Sequence, residues 1–273
     1  MIDLLRLVRA HNLLIAAAGV AAGGWIALGR IAVPGALAWA AVSGVGLGAA
    51  GNVINDILDV DADVVNRGRM RPIAGRRIGV RAALACFGAG ALTGLVAAAL
   101  AGRTVLLVGA AALAVMLAYS PVLKPVPAVG NLAVAVVAGL PLMYGALAVG
   151  SPGAGAVPWA LAAALHFVRE IVKDIEDVEG DRAVSRRTLA VVLGRRGAAT
   201  VAGAAAVAFV PLSFFLPWRA EYGGAYFVIA LPVQMAVLIA ASWLFLGRIH
   251  RVSALLKGAM VGGIAALAAG RLG

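Results

Sequence analysis

Charged residues are scarce in this sequence. Asp, Glu, Lys and Arg account for 13% of its 273 residues, against roughly 25% in a soluble domain. Hydrophobic residues account for 63%, and the mean hydropathy is +1.00. A water-soluble globular domain is therefore excluded, and the sequence predicts an all-α integral membrane protein.

Cysteine is almost absent, with Cys86 as its single representative. One thiol cannot form an internal disulfide framework, and it cannot supply a cysteine-clustered metal site. Cys86 falls within a predicted membrane span, where a small buried apolar side chain is the expected role.

Long stretches without Asp, Glu, Lys or Arg divide the chain into membrane spans. Because a helix rises 1.5 Å per residue, about 20 residues cross the roughly 30 Å of hydrocarbon. The stretch 125–168 is long enough for two helices, with a turn at Ser151–Gly155. A weaker last span contains Lys257, whose ammonium can reach the interface. The sequence therefore predicts about nine transmembrane helices, within 10–29, 31–55, 82–102, 104–123, 125–168 (two helices), 197–218, 222–247 and 252–270.

The formal net charge of +11 is distributed unevenly across these spans. Of the 23 Lys and Arg residues, 19 fall on the side of the N-terminus and four on the other, namely Arg30, Arg103, Arg219 and Arg271. Such an excess marks the cytoplasmic side of a membrane protein. The basic charge therefore indicates topology rather than nucleic-acid binding, and it predicts a multi-pass protein of the cell membrane.

Acidic residues are concentrated in two segments on the predicted cytoplasmic side. Ten of the twelve Asp and Glu residues lie within 52–72 and 169–187, leaving Asp3 and Glu221 outside. Both segments contain the spacing D-x2-D-x3-D. It is met by Asp56, Asp59 and Asp63 in the first and by Asp174, Asp177 and Asp181 in the second.

Helical geometry places each set of three carboxylates on one face. Positions 0, 3 and 7 lie within about 60° of arc at 100° per residue, and each set begins where a predicted span, the second or the sixth, reaches the interface. The repeat distance of 118 residues contains four spans, so both sets lie on the same side of the membrane. The sequence therefore predicts two carboxylate stripes that face one cavity.

Carboxylates packed this closely raise one another's pKa and cost stability unless cations neutralise them. Oxygen ligands without His or Cys favour a hard ion, and Mg²⁺ characteristically bridges carboxylates to substrate phosphates. Neighbouring Arg and Lys would hold the remaining phosphate oxygens. The pattern indicates a site for a metal diphosphate. The alternative is a set of solvated loop acids that balance the arginines, but the duplicated spacing weighs against it.

On these residues the chain resembles the UbiA superfamily of intramembrane prenyltransferases. The first signature of that family, N-x3-D-x3-D, is matched by Asn55, Asp59 and Asp63, and the second, D-x3-D, by Asp177 and Asp181. The likeness continues along the chain at Arg9, His11-Asn12, Asn66, Arg71-Pro72, Tyr119-Ser120-Pro121, Lys124 and Gly130-Asn131.

The resemblance implies a single domain over residues 1–273, with its helices in a bundle around a central cavity that opens sideways to membrane lipid. It implies Mg²⁺ as cofactor and an isoprenoid diphosphate, expected to be geranylgeranyl diphosphate, as donor. The metal would stabilise the leaving diphosphate, so that the allylic C1–O bond ionises and an acceptor captures the carbocation. The active site is expected on the cytoplasmic side.

The resemblance also implies roles for individual residues. The expected catalytic residues are Asp59, Asp63, Asp177 and Asp181, with Lys124 and Lys173 offsetting the growing negative charge. The expected metal ligands are Asn55, Asp56, Asp59, Asp63, Asp174, Asp177 and Asp181. The expected substrate-binding residues are Asn12, Asn52, Asn55, Asn66, Arg67, Arg71, Tyr119 and Arg182.

Three of the weaker features have alternatives. Tyr119 could stabilise the cation through its ring or contact the diphosphate, or it could be an interfacial anchor. Asn12 could reach the cavity or cap its helix. His166 is expected to pack in a hydrogen-bonded position rather than to act as a base. The general base is unassigned, with Glu170 and Asp174 as candidates.

Within the superfamily, the second motif at 173–181 and the compact length look most like the archaeal-type digeranylgeranylglyceryl phosphate synthases. That subgroup implies transfer of geranylgeranyl to geranylgeranylglyceryl phosphate, which forms an ether lipid precursor. The alternative in the same fold is an aromatic polyprenyltransferase of quinone biosynthesis, acting on a hydroxybenzoate or naphthoate. An ion-coupled transporter is less favoured, since both acidic clusters lie at one interface rather than at the midplane.

Overall fold

The computed structural model describes residues 2–272, except for the side chain of Arg69. Outside the described part lie Met1 and Gly273, which are the ends of the predicted domain. The Arg69 side chain, which the sequence places among the basic residues on the side of the N-terminus, also lies outside it. Every regular element within that part is helical. The α-helices are α1 (Ile2–Leu7), α2 (Ala10–Leu28), α3 (Gly35–Leu58), α4 (Val60–Asn66), α5 (Val80–Ala101), α6 (Arg103–Ala118), α7 (Val129–Ala148), α8 (Pro152–Glu176), α9 (Val178–Ala183), α10 (Leu189–Arg219), α11 (Gly224–Phe245) and α12 (Val252–Ala269). A short 3₁₀ turn covers Gly68–Met70, and a π-helical turn covers Tyr119–Leu123.

Nine helices in the described part are long and apolar enough to cross a membrane, which confirms the predicted fold class. They are α2, α3, α5, α6 with its π-helical turn, α7, α8, α10, α11 and α12. The long apolar stretch divides as predicted, because α7 ends at Ala148 and α8 begins at Pro152. Proline suits the first turn of a helix, where its missing N–H has no intrahelical partner in any case.

The charge-free stretches underestimate the length of two helices. α8 continues beyond Val168 through Glu176, and α10 begins at Leu189, well before the predicted span. Gly194 has φ +70° and ψ 166°, so α10 is kinked after its first turn. Charged residues ended the predicted spans because they leave the hydrocarbon, but the helical backbone continues past that boundary. The second acidic segment therefore begins on a helix that is anchored in the membrane.

The spanning helices surround a central cavity of about 430 Å³, as the resemblance implied. It is lined by residues of α2, α3, α6, α7, α8, α10, α11 and α12. Glycine allows the closest helix contacts: a Cβ atom at Gly145 of α7 would clash with the backbone of Val20 in α2. Small residues at such positions let membrane helices approach until their backbones touch.

The two acidic segments have the same backbone design, which differs in one respect from the prediction. Instead of continuing as one helix, α3 ends and α4 begins at Asp59, whose φ and ψ are −101° and 9°. α8 ends and α9 begins at Asp177, with φ and ψ of −98° and 6°. Hydrogen bonds from Asp59 N to Asn55 O (2.9 Å) and from Asp177 N to Lys173 O (2.8 Å) continue through each break. The predicted unbroken helical stripe is therefore wrong in detail, since each helix bends at its middle aspartate.

Candidate active site

All six predicted aspartates line one small pocket at the ends of α3 and α8. Its other lining residues include Asn55 and Asn66 from the first segment, Lys173 from the second, and Tyr119 and Lys124 from the connection between α6 and α7. The two segments lie more than 100 residues apart in sequence, so this pocket is the product of tertiary packing. The prediction that the two sets of carboxylates face one cavity is confirmed.

Asn66 and Arg67 join the two acidic segments directly. The Asn66 amide donates to the Asp177 carbonyl (2.9 Å), and its oxygen accepts a hydrogen bond from Gly180 N (2.7 Å). Arg67 Nη2 donates to both carboxylate oxygens of Asp177, at 2.7 and 2.8 Å. Position 180 has to be glycine here, because a Cβ atom would overlap the Asn66 side chain and the Ala62 carbonyl. These contacts hold α4 against α9 and thereby set the width of the pocket.

Lys124 and Arg186 bridge the middle aspartate of the first segment to the last aspartate of the second. Lys124 Nζ lies 2.9 Å from Asp59 Oδ2 and 3.4 Å from Asp181 Oδ1. Arg186 lies 2.7 Å from Asp59 Oδ1 and 3.7 Å from Asp181 Oδ1. Burial works against the charged form of Asp59, but the two cations outweigh it and lower the pKa of that carboxyl. Burial also opposes the charge of Lys124, whose pKa is nevertheless raised by Asp59 and Asp181.

The outer carboxylates of the first segment are held by two arginines. Arg9 Nη2 lies 2.6 Å and Arg71 Nη1 3.0 Å from Asp56 Oδ1. Arg71 Nε lies 3.4 Å from Asp63 Oδ2, yet burial still raises the pKa of Asp63 above its usual value. Arg9 has a left-handed backbone with φ 55°, a conformation that costs a non-glycine residue of order 1–2 kcal/mol. That strained turn between α1 and α2 aims the guanidinium at the pocket.

In the second segment, one aspartate is held by an amide instead of a cation. Asp174 Oδ2 accepts a 2.8 Å hydrogen bond from the Asn131 amide of α7. Glu170, one turn earlier, accepts from Lys173 at 2.7 Å and lies 3.4 Å from Arg169. Asp181 is fully buried, and burial raises its pKa although Lys124 and Arg186 oppose the shift. Its two carboxylate oxygens have no hydrogen-bond partner.

The π-helical turn at Tyr119–Leu123 positions the third side of the pocket. Lys124 N donates to the Tyr119 carbonyl at 2.7 Å, five residues back. Pro121 within the turn has no N–H to donate, and proline disrupts regular α-helical bonding. Such π turns occur often at functional sites. Here the turn brings Tyr119 to the pocket wall and Lys124 to the carboxylates.

The pocket opens into the central cavity through residues that both share. Asn55, Tyr119, Glu170 and Lys173 line the small pocket and the cavity alike, as does Arg9. Beyond them the cavity wall is mainly apolar, with residues such as Leu165, Phe209 and Ile264. A ligand with an anionic head and a long apolar tail could occupy both spaces at once.

The donor set of the pocket fits a hard divalent cation, although the carboxylates are not gathered around one point. No group of three or more His, Cys, Asp or Glu side chains within residues 2–272 forms a ready-made metal site. Four buried oxygens nevertheless lack hydrogen-bond partners, namely Asn55 Oδ1, Asp56 Oδ2 and both of Asp181. Buried acceptors without partners are costly. Cation binding would satisfy them after a modest rearrangement of the basic side chains that now hold the carboxylates.

The structure assigns several expected substrate-binding residues to other contacts. Arg182 is exposed and lines neither the pocket nor the cavity, so no contact in this structure supports its expected substrate-binding role, which stays a prediction. Asn66 and Arg67 hold the two segments together. Asn52 donates to Val8 O at 2.9 Å and accepts from Arg9 at 3.2 Å, which fastens the α1–α2 turn to α3. Asn12 lines the central cavity as expected.

Two site residues had no assigned function in the sequence. Arg186 was counted only among the topological charges, and Asn131 appeared only as part of the resemblance. Arg186 lies beyond the end of α9, where no helical spacing relates it to the aspartates. Asn131 contacts Asp174 from another helix, and a polar amide inside an apolar span is the one sequence signal that could have identified it.

The fold and the paired acidic segments define an intramembrane prenyltransferase, and the chain belongs to the UbiA prenyltransferase family, whose model matches residues 13–262. The digeranylgeranylglyceryl phosphate synthase of Natronomonas pharaonis is 36% identical over 270 residues, covering 98% of this chain and 96% of that protein. The apo structure of a UbiA homolog from Aeropyrum pernix K1 has a TM-score of 0.81 at 22% identity, covering 94% of this chain and 96% of that one. A UbiA homolog from Archaeoglobus fulgidus, solved with GPP and Mg²⁺ bound, has a TM-score of 0.71 at 21% identity, covering 97% and 99%. Together these findings confirm the resemblance and the fold.

Proposed function

We propose that this protein is a Mg²⁺-dependent prenyltransferase that moves a geranylgeranyl group from its diphosphate to the free hydroxyl of geranylgeranylglyceryl phosphate. The observation that carries the proposal is the single pocket into which both acidic segments place their aspartates, open to an apolar cavity within the membrane. The identity with a synthase of that name over nearly the whole chain supports the choice of acceptor. Membership in a prenyltransferase family leaves the transporter hypothesis without support.

When bound, Mg²⁺ would polarise the diphosphate and stabilise it as a leaving group. The residues proposed to hold the ion are those with free or exchangeable oxygens around the pocket, namely Asn55, Asp56, Asp59, Asp63, Asp174, Asp177 and Asp181. Oxygen donors alone suit Mg²⁺, which is commonly held by a few carboxylates together with substrate phosphates. Archaeoglobus fulgidus provides a family member in which Mg²⁺ and an isoprenoid diphosphate are bound together.

Lys124 and Arg186 are proposed to act in two states. Without substrate they neutralise Asp59 and Asp181, as their distances of 2.7–3.7 Å show. Once those carboxylates turn to the cation, both basic groups lose their partners while remaining beside the pocket. They can then donate to the diphosphate oxygens as negative charge builds up on them. The same side chains would therefore stabilise the empty protein and the departing diphosphate.

The chemical step divides between the pocket and the cavity. The C1–O bond of the donor breaks with its electron pair remaining on the diphosphate, and the allylic cation forms at the boundary lined by Asn55 and Tyr119. The Tyr119 ring can stabilise that cation through its face. Apolar walls around the tail exclude water, so the acceptor hydroxyl, rather than water, forms the new C1–O bond. Its proton passes to an oxygen of the released diphosphate.

The pocket is proposed to face the cytoplasm. Its arginines and lysines belong to the side of the chain that carries 19 of the 23 basic residues, and such an excess is typical of cytoplasmic loops. A soluble diphosphate head could enter from that side while its prenyl tail remains in the membrane.

The purified protein should be incubated with geranylgeranyl diphosphate and either geranylgeranylglyceryl phosphate or an aromatic acid, with and without Mg²⁺. We expect a prenylated ether from the glyceryl phosphate, and no product when EDTA is added. Asp177→Asn should abolish the product while Arg182→Gln, a control on the exposed surface, retains it. Product from the hydroxybenzoate or naphthoate alone would replace the ether-lipid function with the aromatic one.

A further inference from the structure

The central cavity has a cationic corner that the diphosphate pocket does not use. Arg169 and Lys173 of α8 and Lys257 of α12 line the cavity, and of these only Lys173 also lines the pocket. α12 packs against both α8 and α2. Lys257 is exposed at this edge of the cavity, whereas the Arg169 side chain is only 16% exposed. The corner therefore runs from a buried guanidinium to an accessible ammonium.

The acids of the cavity do not balance this corner. Glu170 is the only Asp or Glu among its described lining residues, and it contacts Lys173 at 2.7 Å and Arg169 at 3.4 Å. Lys257 makes no ion pair or side-chain hydrogen bond within the part of the chain that the structure describes. Arg169 Nε is buried without a hydrogen-bond partner. Glu176 does not line the cavity but lies near all three cations. Three cations against two carboxylates still leave an excess of positive charge, which is costly at a membrane boundary unless an anion binds.

A phosphate monoester matches this excess. It has a charge of about −1.5 to −2 at pH 7, because its second pKa is near 6, and its oxygens accept from Arg as a fork and from Lys as a point charge. The aspartate pocket is already assigned to the donor diphosphate in the proposed function. An acceptor lipid with its own phosphate therefore needs a separate anion site near the reacting carbon. Glu170 and Lys173 line both spaces, so the corner adjoins the pocket.

We propose that Arg169, Lys173 and Lys257 form the site that binds the phosphate of a phosphorylated lipid alcohol, which is the acceptor. This inference rests on the proposed function for the identity of the acceptor, but binding at the site can be measured without catalysis. Lys257 selects the acceptor at the cavity edge, and Arg169 holds the phosphate from the buried side. The acceptor tail then lies along the apolar wall of the cavity, with the hydroxyl directed toward the pocket.

Binding without catalysis tests the site directly. Titration of the metal-free protein in detergent with geranylgeranylglyceryl phosphate, and with its dephosphorylated alcohol, measures the preference for the phosphate. The wild type should bind the phosphorylated lipid at least tenfold more tightly. Lys257→Met, which keeps an unbranched apolar stem, should reduce that preference to below threefold, and Lys257→Arg should restore it. Arg248→Met, which removes an exposed cation preceding α12, is the matched control and should leave it unchanged.

Each result bears on the proposal. The proposal would be overturned if both Lys257→Met and Arg169→Gln kept the wild-type preference for the phosphorylated lipid. It would also be overturned if the variants lost affinity equally for the phosphorylated lipid and its alcohol, which would indicate a packing effect. If Lys257→Met fails to fold, Arg169→Gln supplies the same comparison. A different result would contradict the proposed function alone: wild-type protein that binds the phosphorylated lipid but forms no ether from it. In active protein the same variants should raise the KM for the phosphorylated acceptor and leave the KM for the donor diphosphate unchanged.

Discussion

The two acidic segments share one backbone design but differ in how their carboxylates are satisfied. The breaks at Asp59 and Asp177 have nearly identical φ and ψ angles. In the first segment, Asp59 contacts two cations within 2.9 Å. In the second, Asp174 relies on an amide and Asp181 has both oxygens without a hydrogen-bond partner. Asp59 is thus held by close ion pairs in the empty protein, whereas Asp181 retains oxygens without a hydrogen-bond partner. The two segments therefore share the D-x2-D-x3-D spacing, but their aspartates lie in different electrostatic environments.

The largest effect is expected when one carboxylate is neutralised in each segment. Asp59→Asn and Asp181→Asn should each reduce kcat by at least about a thousandfold, since each removes a proposed metal ligand. Their effects on the metal-free fold should differ. Asp59→Asn removes the nearer carboxylate partner of two buried cations, Lys124 and Arg186, and should lower the free energy of unfolding by about 3 kcal/mol. Asp181→Asn removes a buried charge that is poorly satisfied, so its Tm in detergent should be unchanged or higher. Equal destabilisation by both would contradict the contrast between the segments.

The pH dependence of the metal-free protein should show the same contrast. Because the pKa of Asp59 is lowered in the fold, its stabilising contribution is present above the unfolded pKa of about 3.9 and is lost as pH falls through the folded value. Tm measured from pH 6 downward should therefore fall less steeply in Asp59→Asn than in the wild type. Asp181 has a raised pKa, so its protonation favours the fold and Asp181→Asn should not flatten the acid limb. If the fall in Tm at acidic pH were instead less steep in Asp181→Asn, the roles given to Asp59 and Asp181 would be reversed.

Lys124→Gln is expected to reduce kcat by about a hundredfold while strengthening Mg²⁺ binding in the absence of diphosphate. In the proposed mechanism, the Lys124 ammonium would compete with Mg²⁺ for Asp59 and Asp181 and would later stabilise the leaving diphosphate. Calorimetric titration with Mg²⁺ and steady-state kinetics measure the two effects. Arg103→Gln, at the opposite end of the membrane spans, is a control for changes in net charge. Weaker Mg²⁺ binding in Lys124→Gln would show that the lysine does not compete.

Asn66→Ala should lower the free energy of unfolding by about 1–3 kcal/mol, because it removes the two hydrogen bonds that the Asn66 side chain makes to the second acidic segment. Activity should fall about tenfold, as the spacing of the carboxylates becomes less well defined. Thermal unfolding in detergent and kcat at saturating substrate are the measurements. Thr200→Ala, which removes an exposed side-chain hydrogen bond within α10, serves as the comparison. Unchanged activity in a destabilised Asn66→Ala would mean that the contact is structural only.

The smallest expected difference in kcat is between variants of Arg186 and Arg182, two arginines close in sequence. Arg186→Gln should lower kcat about tenfold, because Arg186 bridges Asp59 and Asp181. Arg182→Gln should change it less than twofold, because the side chain is exposed and lies outside the pocket. Assays of both variants at the same Mg²⁺ concentration provide the test. A larger effect at Arg182 would favour the expectation from sequence over the structure.

Sequence alone predicted the features that depend on local chemistry. Exclusion of charge from hydrocarbon predicted the spans, and repetition of the D-x2-D-x3-D spacing predicted the shared pocket. The breaks at Asp59 and Asp177 were missed because an ideal helix satisfies the same spacing. Arg186 and Asn131 were missed because their partners come from distant segments. Arg182 is adjacent to Asp181 in sequence, but its side chain is exposed whereas that of Asp181 is buried. Contacts among sequence-distant side chains require the packed structure.

The close contact at Gly180 has a consequence for biosynthesis. Asn66 is 114 residues upstream of its partner Gly180, and ribosomes add about 5–20 residues per second. For roughly 6 to 23 s during translation, the first acidic segment therefore exists without α9 and without Arg186. Only after the sixth span is inserted can the two halves of the pocket close on each other. A chain truncated or arrested before that point would therefore lack half of the pocket and should be inactive.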